Sequence, residues 1–256
     1  MIKIKNKQAI AAMRTAGQQV SRIVARAGEM IAPGVTTATL DAYIEKELRA
    51  HGLQPVCKGY AGYRHASCIS VNETVVHGVP SDSIVITDGD MVSIDVVGSY
   101  KGYCADMART FVVGKAKPVA HRLREVAQEA LDTGLTLVKP GTPLSDVSAA
   151  IQKVVEAAGF GVLRDFVGHG IGRSLHEDPQ VPNFGKPGEG PLLRPGMTLA
   201  IEPMITEKHY AVKVQADGWT VNTVDGGLSA HVEDTVVVTA TGVEILTRQD
   251  ATKESV

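Results

Sequence analysis

Hydrophobic and polar positions along the chain follow a helical period in two separated segments. From Pro33 to Leu53 the chain reads PGVTTATLDAYIEKELRAHGL, with Leu40, Ile44 and Leu48 at four-residue spacing. From Pro140 to Phe160 it reads PGTPLSDVSAAIQKVVEAAGF, with Val147, Ile151, Val154 and Val155 on one face. Both patterns predict an amphipathic helix. A Pro-Gly turn precedes each, and Gly52 and Gly159 stand where each helix would stop. The two segments align without a gap at an offset of 107 residues.

The offset recurs downstream. Gly89-Asp-Met-Val-Ser-Ile-Asp95 aligns with Gly196-Met-Thr-Leu-Ala-Ile-Glu202, each a turn followed by a strand pattern that ends on an acid. Chance similarity between two helices does not account for both Pro-Gly starts and a later strand. A duplicated α+β unit is implied, each half running helix, helix, then strands. The halves span about 10–115 and 118–247, with the junction near Lys115–Pro118. The whole chain, 1–256, reads as a single domain whose acids converge near a pseudo-twofold axis.

Strand alternation places those acids. In Met91–Val97, Val92, Ile94 and Val96 share one face, and Ser93 and Asp95 share the other. Asp106 precedes a second strand-like run, Thr110–Val113, and Gly98–Gly102 reads as the hairpin turn between them. A loop centred on Tyr100–Lys101 would set Asp95 directly opposite Asp106, with Cβ atoms about 5 Å apart. Facing like charges destabilise a strand pair unless a shared proton, a cationic side chain or a metal ion offsets them. Glu202 ends the strand Thr198–Pro203. Glu233 lies inside Ala230–Val238, where five of nine residues are β-branched. One strand acid alone reads as an edge residue facing water. Four of them, two in each half, point to a shared site.

Composition narrows the setting. Net charge is −2 over 256 residues, which gives no field to hold a phosphate backbone or an anionic membrane. No apolar run approaches the roughly 20 residues of a membrane helix. Cys57, Cys68 and Cys104 are odd in number and lack C-x-x-C spacing, so free thiols in a reducing, cytoplasmic setting are expected.

The densest signal is Phe166-Val-Gly-His-Gly-Ile-Gly-Arg-Ser-Leu-His-Glu-Asp-Pro179. His169 stands between glycines, which permit close backbone approach, and His176 follows seven residues later. His77 precedes Gly78 in Val75-Val-His-Gly-Val-Pro80. His51, His121 and His209 read as surface or satisfied histidines, and His65 and His231 stay open. Four carboxylates and one imidazole are too acidic for a structural zinc site and suit two divalent ions in metal-assisted hydrolysis. Mn, Fe, Co and Zn all accept such donors.

This constellation resembles the type I methionine aminopeptidases in their bacterial form, over about Ile10 to Thr247. The resemblance implies the α+β pita-bread fold, two pseudo-symmetric halves around a central antiparallel sheet with helices outside. It implies two divalent ions held by Asp95, Asp106, His169, Glu202 and Glu233, with Asp106 and Glu233 bridging. Glu202 would also move the proton of the attacking water. His77 and His176 would be catalytic residues that touch the substrate. Tyr60, Tyr63, Cys68, Phe166, Leu175 and Trp219 would line the methionine pocket, Leu175 standing where many members carry Phe. His231 stands where many carry Gln, off the family's ligand set. The substrates implied are N-termini of nascent polypeptides with small second residues. A transient ribosome contact is left open, no DNA or membrane partner is expected, and a monomer is the default. A proline-directed pita-bread aminopeptidase and a non-catalytic binding protein on the same fold are the alternatives.

Overall fold

The computed structural model describes residues 1–248, and the end of the span 1–256 expected to form a single domain lies outside the described residues. Four α-helices form among the described residues: α1 (Lys7–Glu29), α2 (Thr37–Ala50), α3 (Pro118–Thr136) and α4 (Leu144–Ala157). Local chemistry starts them. The Asn6 and Thr36 side chains accept from the N–H groups of Ala9 and Thr39, and Pro118 occupies a first helical position.

The 107-residue offset holds at the level of hydrogen bonds. Helices α2 and α4 begin and end at equivalent residues, and α1 and α3 end at equivalent residues. Leu53 N–H closes onto Leu48 O (2.9 Å), and Phe160 N–H onto Val155 O (3.2 Å). Gly34 and Gly141 donate to Ile86 O and Leu193 O at 2.8 and 2.9 Å. Gly52 and Gly159 take φ of +73° and +82°, the left-handed stop expected after a helix. Leu40, Ile44 and Leu48 are fully buried, as are Val147, Ile151 and Val155, whereas Val154 is only partly covered.

The central sheet has nine strands, all paired antiparallel. Its order runs Gln54–Pro55, Met91–Tyr100, Tyr103–Val112, Glu233–Val238, Thr198–Ile201, Gly168–Gly170, Glu177–Val181. Ser67–Val71 pairs beside Met91–Tyr100, and Val243–Ile245 beside Glu233–Val238. Two three-stranded sheets complete the fold. Val92, Ile94 and Val96 pack into one core with the apolar faces of α1 and α2. The helices therefore cover the sheet face away from Asp95.

Two sequence expectations need correction. Tyr100 pairs with Tyr103, so the hairpin turns on Lys101–Gly102, with φ of +51° and +74°. Positive φ at both central residues is the tight turn whose twist matches its strands. The register moves accordingly: Asp95 pairs with Ala108 and Val97 with Asp106. The two aspartates share a face but stand diagonally, not opposite. The run Ala230–Val238 is not one strand either. It breaks at Val232 into Ser229–His231, which pairs with Met204–Thr206, and Glu233–Val238, which joins the central sheet.

Candidate metal centre and substrate pocket

Five neighbouring strands each bring one candidate residue to the same face. Asp95 and Glu233 both pair with Ala108, on either side of it. Asp106 lies two residues from Ala108, on the same face of its strand. His169 pairs with Ala200, and Glu202 follows two residues after Ala200. The small Ala108 and Ala200 leave space among the donors, so the acids can lean inward.

Backbone devices hold this arrangement. Thr235 Oγ1 accepts from Asp106 N–H and donates to Asp106 O, each at 2.8 Å. Asn183 Nδ2 donates to Glu202 O at 3.0 Å. A Cβ on Gly168 would lie 2.4 Å from Ala200 O, and one on Gly170 would lie 2.1 Å from Asp178 O. The glycines flanking His169 are thus required by strands closing on both sides. His169 Nδ1 meets Gly170 O at 2.9 Å, which leaves Nε2 as the free donor atom.

Electrostatics mark the cluster as unfinished by protein alone. Asp106, His169 and Glu233 are buried, at 5%, 7% and 2% exposure. Asp95 Oδ1, Asp106 Oδ1, Glu233 Oε1 and His231 Nε2 are buried polar atoms without a hydrogen-bond partner. Burial, then neighbouring carboxylates, hold Asp106 and Glu233 well above the ordinary carboxylate range. Burial also raises Asp95, while His231 pulls it the other way. By contrast Asp234, next in sequence to Glu233, faces away and is matched by Arg109 (2.6 Å), Arg248 (2.7 Å) and Thr247 (2.8 Å). Unpaired buried acids of this kind need cations or protons. Asp106, His169 and Glu233 hold donor atoms within 4.8 Å of one another, as do Glu202, His231 and Glu233. The donor set fits divalent cations.

The acids share a cavity of about 170 Å³ with every residue expected at the site, including Tyr60, Tyr63, Cys68, Phe166, Leu175 and Trp219. Trp219 packs edge-on against Tyr63, with ring centres 5.0 Å apart, and His77 against Phe166, at 5.5 Å. Asp217 accepts from the N–H groups of Trp219 and Thr220, which fixes the turn carrying the indole. His77 sits at φ +57°, a strained conformation for a non-glycine residue. Burial lowers His77, and burial then His169 lower His176 to about 4, so both imidazoles are neutral at pH 7. His176 Nδ1 meets Tyr60 OH at 2.7 Å.

Sequence reasoning missed three neighbours. Cys57 lines the cavity beside Cys68. Asp41 anchors the strand that carries Cys68 by accepting from Ala66 N–H, Ser67 N–H and Ser67 Oγ. His65 meets Asp41 at 3.1 Å and belongs to that anchor. His231, placed off the ligand set by resemblance, lies inside the cluster: its Nε2 is 3.4 Å from Glu202 and 4.0 Å from Glu233. The strand break at Val232 brings it there, and no local signal marks that break.

With this geometry in view, the chain belongs to metallopeptidase family M24, whose match spans residues 11–240. Among its relatives, the methionine aminopeptidase of Clostridium perfringens is 48% identical over 96% of this chain and 99% of its own. Methionine aminopeptidase 1 of Bacillus subtilis is 46% identical over 97% and 100%. The crystal structure of methionine aminopeptidase from Thermotoga maritima superposes with a TM-score of 0.96, at 46% identity, covering 97% of this chain and all of that one. Prolidase from Pyrococcus furiosus has a TM-score of 0.79 at 25% identity, and 66% of its length is matched. The fold is the pita-bread fold of these peptidases.

Proposed function

We propose that this protein is a metal-dependent aminopeptidase that removes the N-terminal methionine from polypeptide chains. One observation carries the reading. A cluster of unpaired buried carboxylates and imidazoles forms the floor of a small cavity whose other wall is apolar and sulfur-compatible. The cavity is small, about 170 Å³, which suits one unbranched side chain and its amine rather than an internal segment of peptide. Aromatic rings and Cys68 offer S–aromatic and apolar contacts to a thioether.

Asp95, Asp106, His169, Glu202 and Glu233 would hold two divalent ions, with Asp106 and Glu233 shared between them. Bound there, such ions polarise the scissile carbonyl and lower the pKa of water. This chain's residues do the rest. Glu202, at the rim of the cluster with 12% of its side chain exposed, accepts the proton of the attacking water and returns it to the leaving amine. With Nδ1 of neutral His176 held by Tyr60, its Nε2–H is free to donate to the developing oxyanion. His77, fixed beside Phe166, hydrogen-bonds the scissile amide. The two halves, about 10–115 and 118–247, work as one catalytic unit, because each contributes ligands to the same cavity. Nascent chains with a small second residue are the substrates, in the cytoplasm, acted on by a monomer.

The test is methionine release from Met-Ala-Ser by metal-free protein titrated with Mn, Fe, Co and Zn, beside a Xaa-Pro peptide. Metal-dependent methionine release supports the reading. Faster turnover of the Xaa-Pro peptide moves the assignment to a proline-directed peptidase. Folded protein that binds no metal and cleaves neither peptide moves it to a binding protein.

A further inference from the structure

We propose that His231 is a sixth metal ligand, whose Nε2 brings a second imidazole to the centre beside the one His169 supplies. The inference rests on the two-ion reading above and extends it to a residue outside the family's ligand set.

Distances carry the argument. His169 Nε2, the expected ligand, stands 3.6 Å from Glu202 Oε1 and 3.8 Å from Asp106 Oδ2. His231 Nε2 stands 3.4 Å from Glu202 Oε2 and 4.0 Å from Glu233 Oε2. None of these is a hydrogen bond, which would close to about 2.7–3.0 Å. Two donors on one first-row ion, each about 2.1 Å from it, stand roughly 3.0–3.4 Å apart at octahedral and tetrahedral angles and about 4.2 Å apart across the ion. Both histidines hold their carboxylates within that range, and each faces a different oxygen of Glu202.

Burial adds a second line. His231 is 3% exposed, and its Nε2 has no hydrogen-bond partner. An orphaned imidazole nitrogen aimed into a carboxylate cluster is costly unless something else occupies that lone pair or proton. The backbone around it is locked in place. His231 N–H bonds Thr110 Oγ1 at 3.0 Å, and Thr110 Oγ1 donates to His231 O at 2.8 Å. The carboxylates facing the ring are those of Glu202 and Glu233, and the three side chains hold donor atoms within 4.8 Å of one another. An added imidazole favours Fe, Co and Zn over Mn relative to an all-carboxylate shell.

The experiment counts imidazoles on the bound ions. Protein labelled with ¹⁵N-histidine is loaded with one and then two equivalents of Mn(II), and nitrogen couplings are read by pulsed EPR. Calorimetry follows binding of the same ions to wild type, His231→Gln and His169→Ala. Couplings to two imidazoles at two equivalents in wild type, one of them lost in His231→Gln, are the expected result. Binding of one ion should also weaken by 10- to 100-fold in His231→Gln. One imidazole on two bound ions in an enzyme that releases methionine overturns the ligand role alone. That result with the 10- to 100-fold weakening retained makes His231 a hydrogen-bond support of Glu202 instead. Wild-type protein that binds no ion and releases no methionine overturns the inference together with the two-ion reading. The wild-type count stands without any variant, so a poorly folding substitution does not blunt the test.

Discussion

The two halves of the molecule share a scaffold and divide the chemistry. Helix ends, Pro-Gly turns and helix-stop glycines repeat at 107 residues, down to individual backbone bonds. The strands that follow diverge. In the first half, Met91–Tyr100 and Tyr103–Val112 form a long regular hairpin that presents two short aspartates from mid-strand. In the second, the equivalent strand stops at Ile201, Pro203 follows Glu202, and the partner strand breaks at Val232. Regular strands hold Asp95 and Asp106 in the sheet, whereas interrupted ones leave the longer glutamates and imidazoles room to reach toward them.

The division can be broken at its centre first. Asp106→Asn and Glu233→Gln, on the two middle strands, should each cut methionine release by about three orders of magnitude or more, several kcal/mol at 1.36 kcal/mol per decade. Steady-state kinetics with bound-metal analysis checks this, and near-normal activity in either variant would deny that the halves share one centre.

The reactive half should then show its hand. His176→Ala is expected to lower kcat by about 10²–10³-fold with little change in KM, as for loss of an oxyanion donor. Tyr60→Phe should cost a smaller factor, because it frees Nδ1 without removing the ring. A Tyr60→Phe effect as large as that of His176→Ala would reassign the tyrosine to direct contact with substrate.

Proton linkage distinguishes the metal-free scaffold from the loaded one. Asp95, Asp106 and Glu233 have raised folded-state pKa values, so their contribution to stability is full below the unfolded carboxylate range and is lost as pH rises. His77 and His176 are lowered, His176 to about 4, so theirs is full above the unfolded value and is lost as pH falls toward 4. Above about pH 7.5 the histidine contributions are complete, and what still changes is the loss carried by groups raised well above their ordinary range, Asp106 and Glu233 among them. The Tm of metal-free protein should therefore fall as pH rises from about 7.5, and added metal should restore it. A flat Tm across that window in metal-free protein would contradict the buried-acid account.

The wall of the cavity offers a milder contrast with its floor. On the proposed reading, in which the indole would contact the methionine side chain and not the reacting atoms, Trp219→Ala should raise KM for Met-Ala-Ser several-fold and leave kcat largely intact. The smallest effect tests the scaffold symmetry itself. Gly52→Ala and Gly159→Ala meet no neighbouring atom within 4 Å and share a left-handed φ, so each should cost about 1 kcal/mol of stability in denaturant melts. Clearly unequal costs would show that the halves are less alike in energy than in geometry.

Several parts of this picture were legible before folding. Leu40, Ile44 and Leu48, and Val147, Ile151 and Val155, reveal helices because the helical period is written in consecutive residues. Alternation around Asp95 assigns it to the face opposite Val92 and Ile94 for the same local reason. The hairpin register escaped, because a turn at Lys101–Gly102 rather than Tyr100–Lys101 differs by one residue and slides Asp106 from opposite Asp95 to diagonal. His231 escaped because its position follows from pairing with Met204, 27 residues earlier, after a break that periodicity does not encode. Asp41 and Cys57 escaped because their roles depend on contacts with Ser67 and Cys68 across a loop.

By itself, then, the sequence determined the duplicated α+β plan, the start and stop signals of its two repeated helices and the residue types of an acid–imidazole centre, since each is written in residues a few positions apart. Tertiary structure alone decided which strands neighbour which, that Ala108 and Ala200 open space among the acids and His169, and that His231 faces Glu202 and Glu233. Ala108 gains its place where Glu233–Val238 meets Tyr103–Val112 across the join between the halves, Ala200 where Thr198–Ile201 lies between Glu233–Val238 and Gly168–Gly170, and His231 where Ser229–His231 meets Met204–Thr206. Pairing across more than a hundred residues is selected by the packing of the whole sheet, not by any segment of it.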